Sequence, residues 1–300
     1  MSQSRSHVSH LDSHVSRPTL CVGMPVFNGA KFLTEALQSI VDQDFDSFEV
    51  LISDNCSTDA TASICERFMK IDPRIRYHRN ASNIGAPRNY NLVLRKSQTT
   101  YFKWASASDI CSPSMFSQCI AALERHPQAI LAFPQTHFFT NDISDSTAYE
   151  QDRELTQMSA YERFKDVLEN LGFNNIINGV FRRSALSMAR PQNPSFYSSD
   201  LVLMAELALR GHFVVASDAH FYRRMSPEAT ANMRNPEELR EHWTPGKHGA
   251  RRFQQWRYWF GMLDAVLRAS PGLGDAARAT LMIGRHMIWS RHKLFAELVP

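Results

Sequence analysis

A chain of 300 residues with 43% hydrophobic and 21% charged residues suits one large globular domain, or a domain with an extension. A net charge of +3 is too small to point to nucleic acid as a partner. No run of about 18 apolar residues is present and the N-terminus lacks an apolar leader core, so neither a spanning helix nor a signal peptide is expected.

The first residues, 1–17, are rich in Ser and His and carry almost no apolar side chains, which predicts a disordered tail. His7, His10 and His14 would share a face if this stretch were helical, but it has nothing with which to form a core. Strands are then predicted at Leu20–Met24, Glu49–Ser53, Ile75–His78, Tyr101–Ala105 and Ile130–Phe133. Helices are predicted between them at Lys31–Val41, Thr61–Lys70, Arg88–Lys96 and Pro113–Arg125. This alternation implies right-handed crossovers and a mainly parallel, doubly wound α/β sheet. A polar loop follows, then a helical pattern of Tyr161, Phe164, Val167, Leu168 and Leu171. A strand at Ile176–Phe181, a helix at Leu201–Arg210 and two strand-like runs, Phe213–Ala216 and His220–Arg223, come next. From Pro236 the pattern is helical, broken near Pro245-Gly246 and Pro271-Gly272.

Five cysteines, Cys21, Cys56, Cys65, Cys111 and Cys119, are odd in number and form no C-x-x-C pair. Reduced, mostly buried thiols in a cytoplasmic compartment are therefore expected, not a disulfide framework or a zinc site. No G-x-G-x-x-G follows the first strand and no G-x-x-x-x-G-K-[ST] occurs, which disfavours dinucleotide oxidoreductases and P-loop nucleotidases.

Seven segments carry chemistry. The first strand runs into Pro25-Val26-Phe27-Asn28. The second ends in Ser53-Asp54-Asn55-Cys56-Ser57-Thr58-Asp59, an acidic turn where ligands of parallel sheets bind. By itself that turn could be no more than a strand–turn–helix unit with Asp54 or Asp59 as a cap. Asn83-Ile84-Gly85-Ala86-Pro87-Arg88-Asn89 opens a helix whose free N–H groups attract phosphate. Tyr101 to Pro113 includes Ser106, Ser108 and Asp109. Farther on come Asn178-Gly179-Val180-Phe181-Arg182-Arg183, Ser199-Asp200 and Phe221-Tyr222-Arg223-Arg224.

In this order, over about Pro18 to Arg224, these segments resemble family 2 glycosyltransferases. The resemblance implies a GT-A nucleotide-diphospho-sugar transferase fold with a mainly parallel, Rossmann-like sheet. It implies a catalytic domain at 18–235, with 236–300 as a C-terminal helical extension. It also implies inverting transfer of a sugar from a UDP, GDP or dTDP donor to a glycan or lipid-linked acceptor, as in lipopolysaccharide or other surface polysaccharides. Pro25, Val26, Phe27, Asn28, Asp54 and Asn55 would then hold the nucleoside. Asn83, Gly85, Arg88, Ser108 and Asp109 would lie along the donor. Gly179, Arg182, Arg223 and Arg224 would lie on the acceptor or phosphate side. Asp200 would be the base, unless it serves only as a helix N-cap.

Two departures stand out. The family's acidic cluster for Mg²⁺ or Mn²⁺ is reduced to Asp109, with Ser106 and Ser108 in the other acidic places. The expected histidine after the paired arginines is Ser226. Three outcomes stay open: Arg88, Arg223, Arg224 or Lys103 replace the metal; Asp109 and phosphate oxygens hold a weak metal site; or the protein only binds a sugar nucleotide or glycan. Arg251 to Phe260 mixes cations with aromatics, which suits core packing or a homo-oligomer contact more than peripheral contact with the inner face of the membrane.

Overall fold

The computed structural model describes residues 18–229, 235–246 and 253–298. The expected tail, and Arg251 and Arg252 of the cation–aromatic run, lie outside the described residues. The chain opens β1 (Leu20–Val26), α1 (Ala30–Val41), β2 (Phe48–Asp54), α2 (Thr61–Ile71), β3 (Ile75–Arg79), α3 (Ala86–Lys96), β4 (Tyr101–Trp104). It continues β5 (Ile110–Cys111), α4 (Met115–Arg125), β6 (Ala129–Phe139), β7 (Thr147–Ala148), α5 (Ala160–Asn170), β8 (Val180–Arg182), α6 (Arg183–Met188), α7 (Ser199–Arg210), β9 (His212–Arg224). Four helices complete it: α8 (Pro236–Trp243), α9 (Gln254–Ala269), α10 (Leu273–Trp289) and α11 (Arg291–Ala296).

The strand order is β3-β2-β1-β4-β8-β6-β9-β5, with β7 on β6. Strands β3, β2, β1 and β4 are all parallel, as the helix alternation predicts. The second half is mixed: β8 runs antiparallel to both β4 and β6, and β5 antiparallel to β9. The longest pairing in that half, β6 with β9, is parallel, so the sheet is mainly parallel as expected, with short antiparallel pairs confined to its second half. The two runs expected around 213–223 form one strand, β9, paired with β6 through a register shift after Pro134/Ala216. The strand expected at Ile176–Phe181 splits into a 3-10 turn at Asn175–Asn178 and the short β8.

Period-two alternation sends side chains to two cores. Leu20, Val22 and Met24 of β1 meet α1, α2 and α4 on one face. Cys21, Phe102 and Trp104 face the other, against α5, α7, α9 and α10. The C-terminal helices share this second core: Trp259, Met262, Val266 and Ile283 are buried with Phe164 and Leu203. The aromatics of α9 thus divide, Trp259 going inside and Phe260 remaining 57% exposed. All five cysteines are free, and burial pushes the thiols of Cys21, Cys65 and Cys119 up to about 12. No helix among the described residues is long and apolar enough to cross a membrane.

Candidate active site

At the carboxyl ends of β1 and β2 the register sets Val26 beside Asp54. The two loops that follow are stitched by consecutive backbone donors. The N–H groups of Asn28, Gly29 and Ala30 donate to Ser57 Oγ (2.9 Å), Thr61 Oγ1 (3.0 Å) and Asp59 Oδ2 (3.0 Å). Asn28 returns the link by accepting from the Thr58 N–H at 2.9 Å, from a left-handed conformation (φ 48°) that asparagine tolerates. Burial opposes ionisation of Asp59, yet hydrogen bonds from Thr61 and Ala30 hold its carboxyl below the ordinary value.

Pro25, Val26, Phe27, Asn28 and Asn55 line a first cavity with Ser106 and Ser108. Asp54 does not line it. Its fully buried carboxylate accepts from the Ser57 N–H (2.8 Å) and the Tyr77 hydroxyl (2.7 Å), with Arg79 at 3.6 Å. Asp54 therefore shapes the turn, and Asn55 is the residue of that pair that reaches the cavity. Asn83 also works at one remove, accepting from Asn55 Nδ2 at 2.6 Å and from the Gly85 N–H at 2.9 Å.

A second cavity of ≈ 400 Å³ continues from the first, sharing Ala86, Tyr90, Ser106 and His242 with it. Asp109, Asp200 and Arg223 line it together. These residues come from the loop after β4, the first turn of α7 and β9, and an adjacent pair of asparagines orients two of them. Asn174 Nδ2 donates to Asp200 Oδ2 at 2.8 Å, and Asn175 Oδ1 accepts from an Arg223 amine at 2.6 Å. Asp200 is not the N-cap that its sequence position suggested; Ser198 is, and no side-chain bond closes that cap. The Arg223 guanidinium lies 5.1 Å over the Phe173 ring, and its Nε is buried without a partner among the described residues. A buried, unsatisfied cationic donor is costly unless an anion joins it. Burial first, then the Asp109 and Asp200 charges, push the Tyr90 hydroxyl up to about 12, so it remains a neutral donor.

Several expected contacts go elsewhere. Arg88 is exposed on α3 and lines a different groove. Lys103 alternates with Phe102 and Trp104, so it is fully buried, donating to the Trp104 carbonyl at 3.2 Å and to that of Asn178. Arg182 donates to the carbonyls of Ala129 (2.8 Å) and Leu123 (2.6 Å). Arg224 is 2% exposed, bonded to the Ser108 carbonyl (3.0 Å) and to Glu35, between the rings of Phe32 and Phe139. Strand alternation explains this split: Arg223 points to the cavity and Arg224 away from it. At Gly179 an added Cβ would meet the Ala132 carbonyl oxygen at 2.4 Å, so that glycine serves strand packing. Gly85, at φ 84°, lies against Trp243 in the same way, where a Cβ would meet the carbonyl oxygen at 2.3 Å.

The donor set for a divalent cation is poor. Ser106 and Ser108 hydroxyls bond one another at 3.0 Å, and Asp109 Oδ1 already accepts the Arg224 N–H at 2.9 Å. Burial raises the Asp109 pKa despite that bond and the nearby Arg223, favouring the neutral acid. No three His, Cys, Asp or Glu converge on a metal position among the described residues. Hard cations need charged oxygens, so these residues do not fit Mg²⁺ or Mn²⁺ as a protein-held ion.

Sequence reasoning missed His242. Helix α8 lays Leu239, His242 and Trp243 across the cleft, with His242 on the wall shared by both cavities. Burial lowers its pKa to about 4, so it is neutral at pH 7. No motif marks it, because only the packing of α8 on α3 brings it there.

Two carboxylates and an arginine thus converge on one cavity, in a cleft at the ends of the parallel strands of an α/β protein. The model of the family described as "Glycosyl transferase family 2" matches residues 21–188, more than half of the sequence. The chain belongs to that family. It is 29% identical over 109 residues to an uncharacterised glycosyltransferase of Haemophilus influenzae, covering 36% of this chain and 34% of that protein. It is 26% identical over 217 residues to the Campylobacter jejuni GalNAc(5)-diNAcBac-PP-undecaprenol beta-1,3-glucosyltransferase, covering 69% and 65%. These matches thus span from a third to just under two thirds of the relatives' lengths. The Staphylococcus aureus TarS crystal structure with UDP shares the fold at TM-score 0.66 and 17% identity, covering 94% of this chain and 75% of that one.

Proposed function

We propose that this protein catalyses inverting transfer of a sugar from a nucleoside-diphospho-sugar to a hydroxyl of a glycan or lipid-linked acceptor, at the cytoplasmic face of the membrane. The observation that carries this reading is the convergence of Asp109, Asp200 and Arg223 on a cavity continuous with the Pro25–Asn28 loop. The nucleoside lies in the first cavity and the sugar diphosphate spans into the second. Asp200 takes the acceptor hydroxyl proton as that oxygen attacks the anomeric carbon, opposite the diphosphate, which leaves with the bonding electron pair. Arg223, whose side chain lines the second cavity, receives the developing negative charge, and Tyr90, a neutral hydroxyl on the wall common to both cavities, can donate to a phosphate oxygen. With the poor cation donor set around Asp109, this charge stabilisation runs without a metal ion.

The test is thermal stabilisation by UDP, GDP and dTDP, since a ligand that binds the folded state raises its melting temperature. One of the three should raise the midpoint clearly above its mononucleotide, and Arg223→Gln should reduce that rise. No response to any of them would remove the nucleotide-sugar reading.

A further inference from the structure

Behind the first turns of α3 and α7 lies a separate groove of ≈ 860 Å³. It adjoins the cleft: Gln192 lines both, Asp200 faces the cleft and Ser199 the groove. Asn91 fixes this common wall by exchanging two hydrogen bonds with the Gln192 backbone, at 2.8 and 3.0 Å. Both carboxylates on the groove are already matched. Asp264 pairs with Arg190 at 3.0 Å, and Glu206 pairs with Arg210 at 2.8 Å and Arg268 at 3.0 Å. Arg88 and Arg95 are different. They sit two turns apart on one face of α3, both exposed, with no hydrogen bond or ion pair among the described residues. Among the other residues that line the groove, Phe196, Val202, Leu203 and Phe260 form an apolar part, of which Phe260, 57% exposed, offers the most surface. Phe260 extends this surface by stacking on Trp256 at 5.9 Å.

Unmatched arginines beside an apolar floor suit an amphiphilic anion: guanidinium groups take phosphate oxygens, and the floor takes hydrocarbon. A polyol phosphate would use the arginines and leave the floor wet. We propose that this groove binds the diphosphate head and adjoining hydrocarbon of a lipid-linked acceptor, so that the glycan it carries turns around the start of α7 to reach Asp200. This names the acceptor class for the transferase reading above and rests on it.

The experiment is calorimetric titration of the full chain with farnesyl diphosphate, a soluble diphosphate on a short hydrocarbon, alongside farnesol, inorganic diphosphate and glycerol phosphate. Farnesyl diphosphate should bind at least about tenfold tighter than each of the others. The R88E/R95E double variant should weaken it about tenfold or more, and Phe260→Ser should weaken it to a lesser extent. Stabilisation by nucleoside diphosphates should be the same in R88E/R95E as in wild type. Unchanged farnesyl diphosphate affinity in R88E/R95E would overturn the proposal, as would equal binding of inorganic diphosphate or glycerol phosphate. If nucleotides still stabilise the protein in that case, only the groove assignment falls. If nucleotides fail while the groove binds its probe, the transferase reading falls instead.

Discussion

The two ends of the cleft are built by different means. At the nucleoside end, the loops after β1 and β2 are joined by the backbone N–H groups of Asn28, Gly29 and Ala30 in one direction and of Thr58 in the other. At the reactive end, Asp109, Asn174, Asp200, Arg223 and His242 arrive from five places along the chain, and a buried Arg223 nitrogen is left unsatisfied. The first end is a finished scaffold. The second gathers ionisable side chains around one cavity, which is what a site that must receive a charged ligand requires.

Substitutions sharpen that contrast. The largest effect is expected from Asp200→Asn, which keeps the shape and the neighbourhood of Asn174 but removes the proton acceptor. Transfer should fall about 10²–10⁴-fold, with donor affinity unchanged in a parallel titration. Undiminished turnover would reject Asp200 as the base. Next comes Arg224→Met, which strips the buried fastener of the Ser108–Asp109 turn and leaves Glu35 unpaired. Glu35 is largely in solvent, but the Ser108 and Thr140 carbonyls lose their donor, so chemical denaturation should show a loss of about 3 kcal/mol. Its neighbour Arg223→Gln should do the reverse, with little change in stability but a loss in kcat of about 10²-fold. If those two variants behaved alike, the division of labour along β9 would be wrong.

The smallest effect concerns His242. Its folded pKa, about 4, lies below the ordinary 6.5, so the unfolded chain binds the extra proton more readily. The neutral ring's contribution is complete above about pH 6.5 and declines as pH falls toward 4. Melting temperatures measured across that window should fall less steeply in His242→Gln than in wild type. Parallel slopes would mean that His242 titrates normally and is not enclosed by α8.

These two ends also differ in how far the sequence foretold them. The parallel half of the sheet, and the loops at Pro25–Asn28 and Asn55, were legible because hydrophobic periodicity and turn chemistry are local signals. Asp200 was legible as a candidate but not its setting, since its partner Asn174 lies on a loop that carries no motif. Lys103, Arg88, Arg182 and Arg224 illustrate the limit. An arginine or lysine near a motif looks available, but strand alternation and helix rotation decide which way it points. For Lys103 and Arg224 the answer was inward; for Arg88 it was toward another groove. Gly85 and Gly179 erred in the same way: each glycine does permit a close approach, but of Trp243 and β6 backbone rather than of a ligand. His242 could not have been found, because its place depends on a helix folding back over 150 residues.

The most direct test of the central claim is release of nucleoside diphosphate from a panel of UDP-, GDP- and dTDP-sugars in the presence of excess chelator. A cleft that relies on Arg223 and Asp200 predicts release from at least one donor, chelator-resistant and accelerated by acceptor. Donor binding without any release, or release that vanishes with chelator and returns with Mg²⁺ or Mn²⁺, would contradict it.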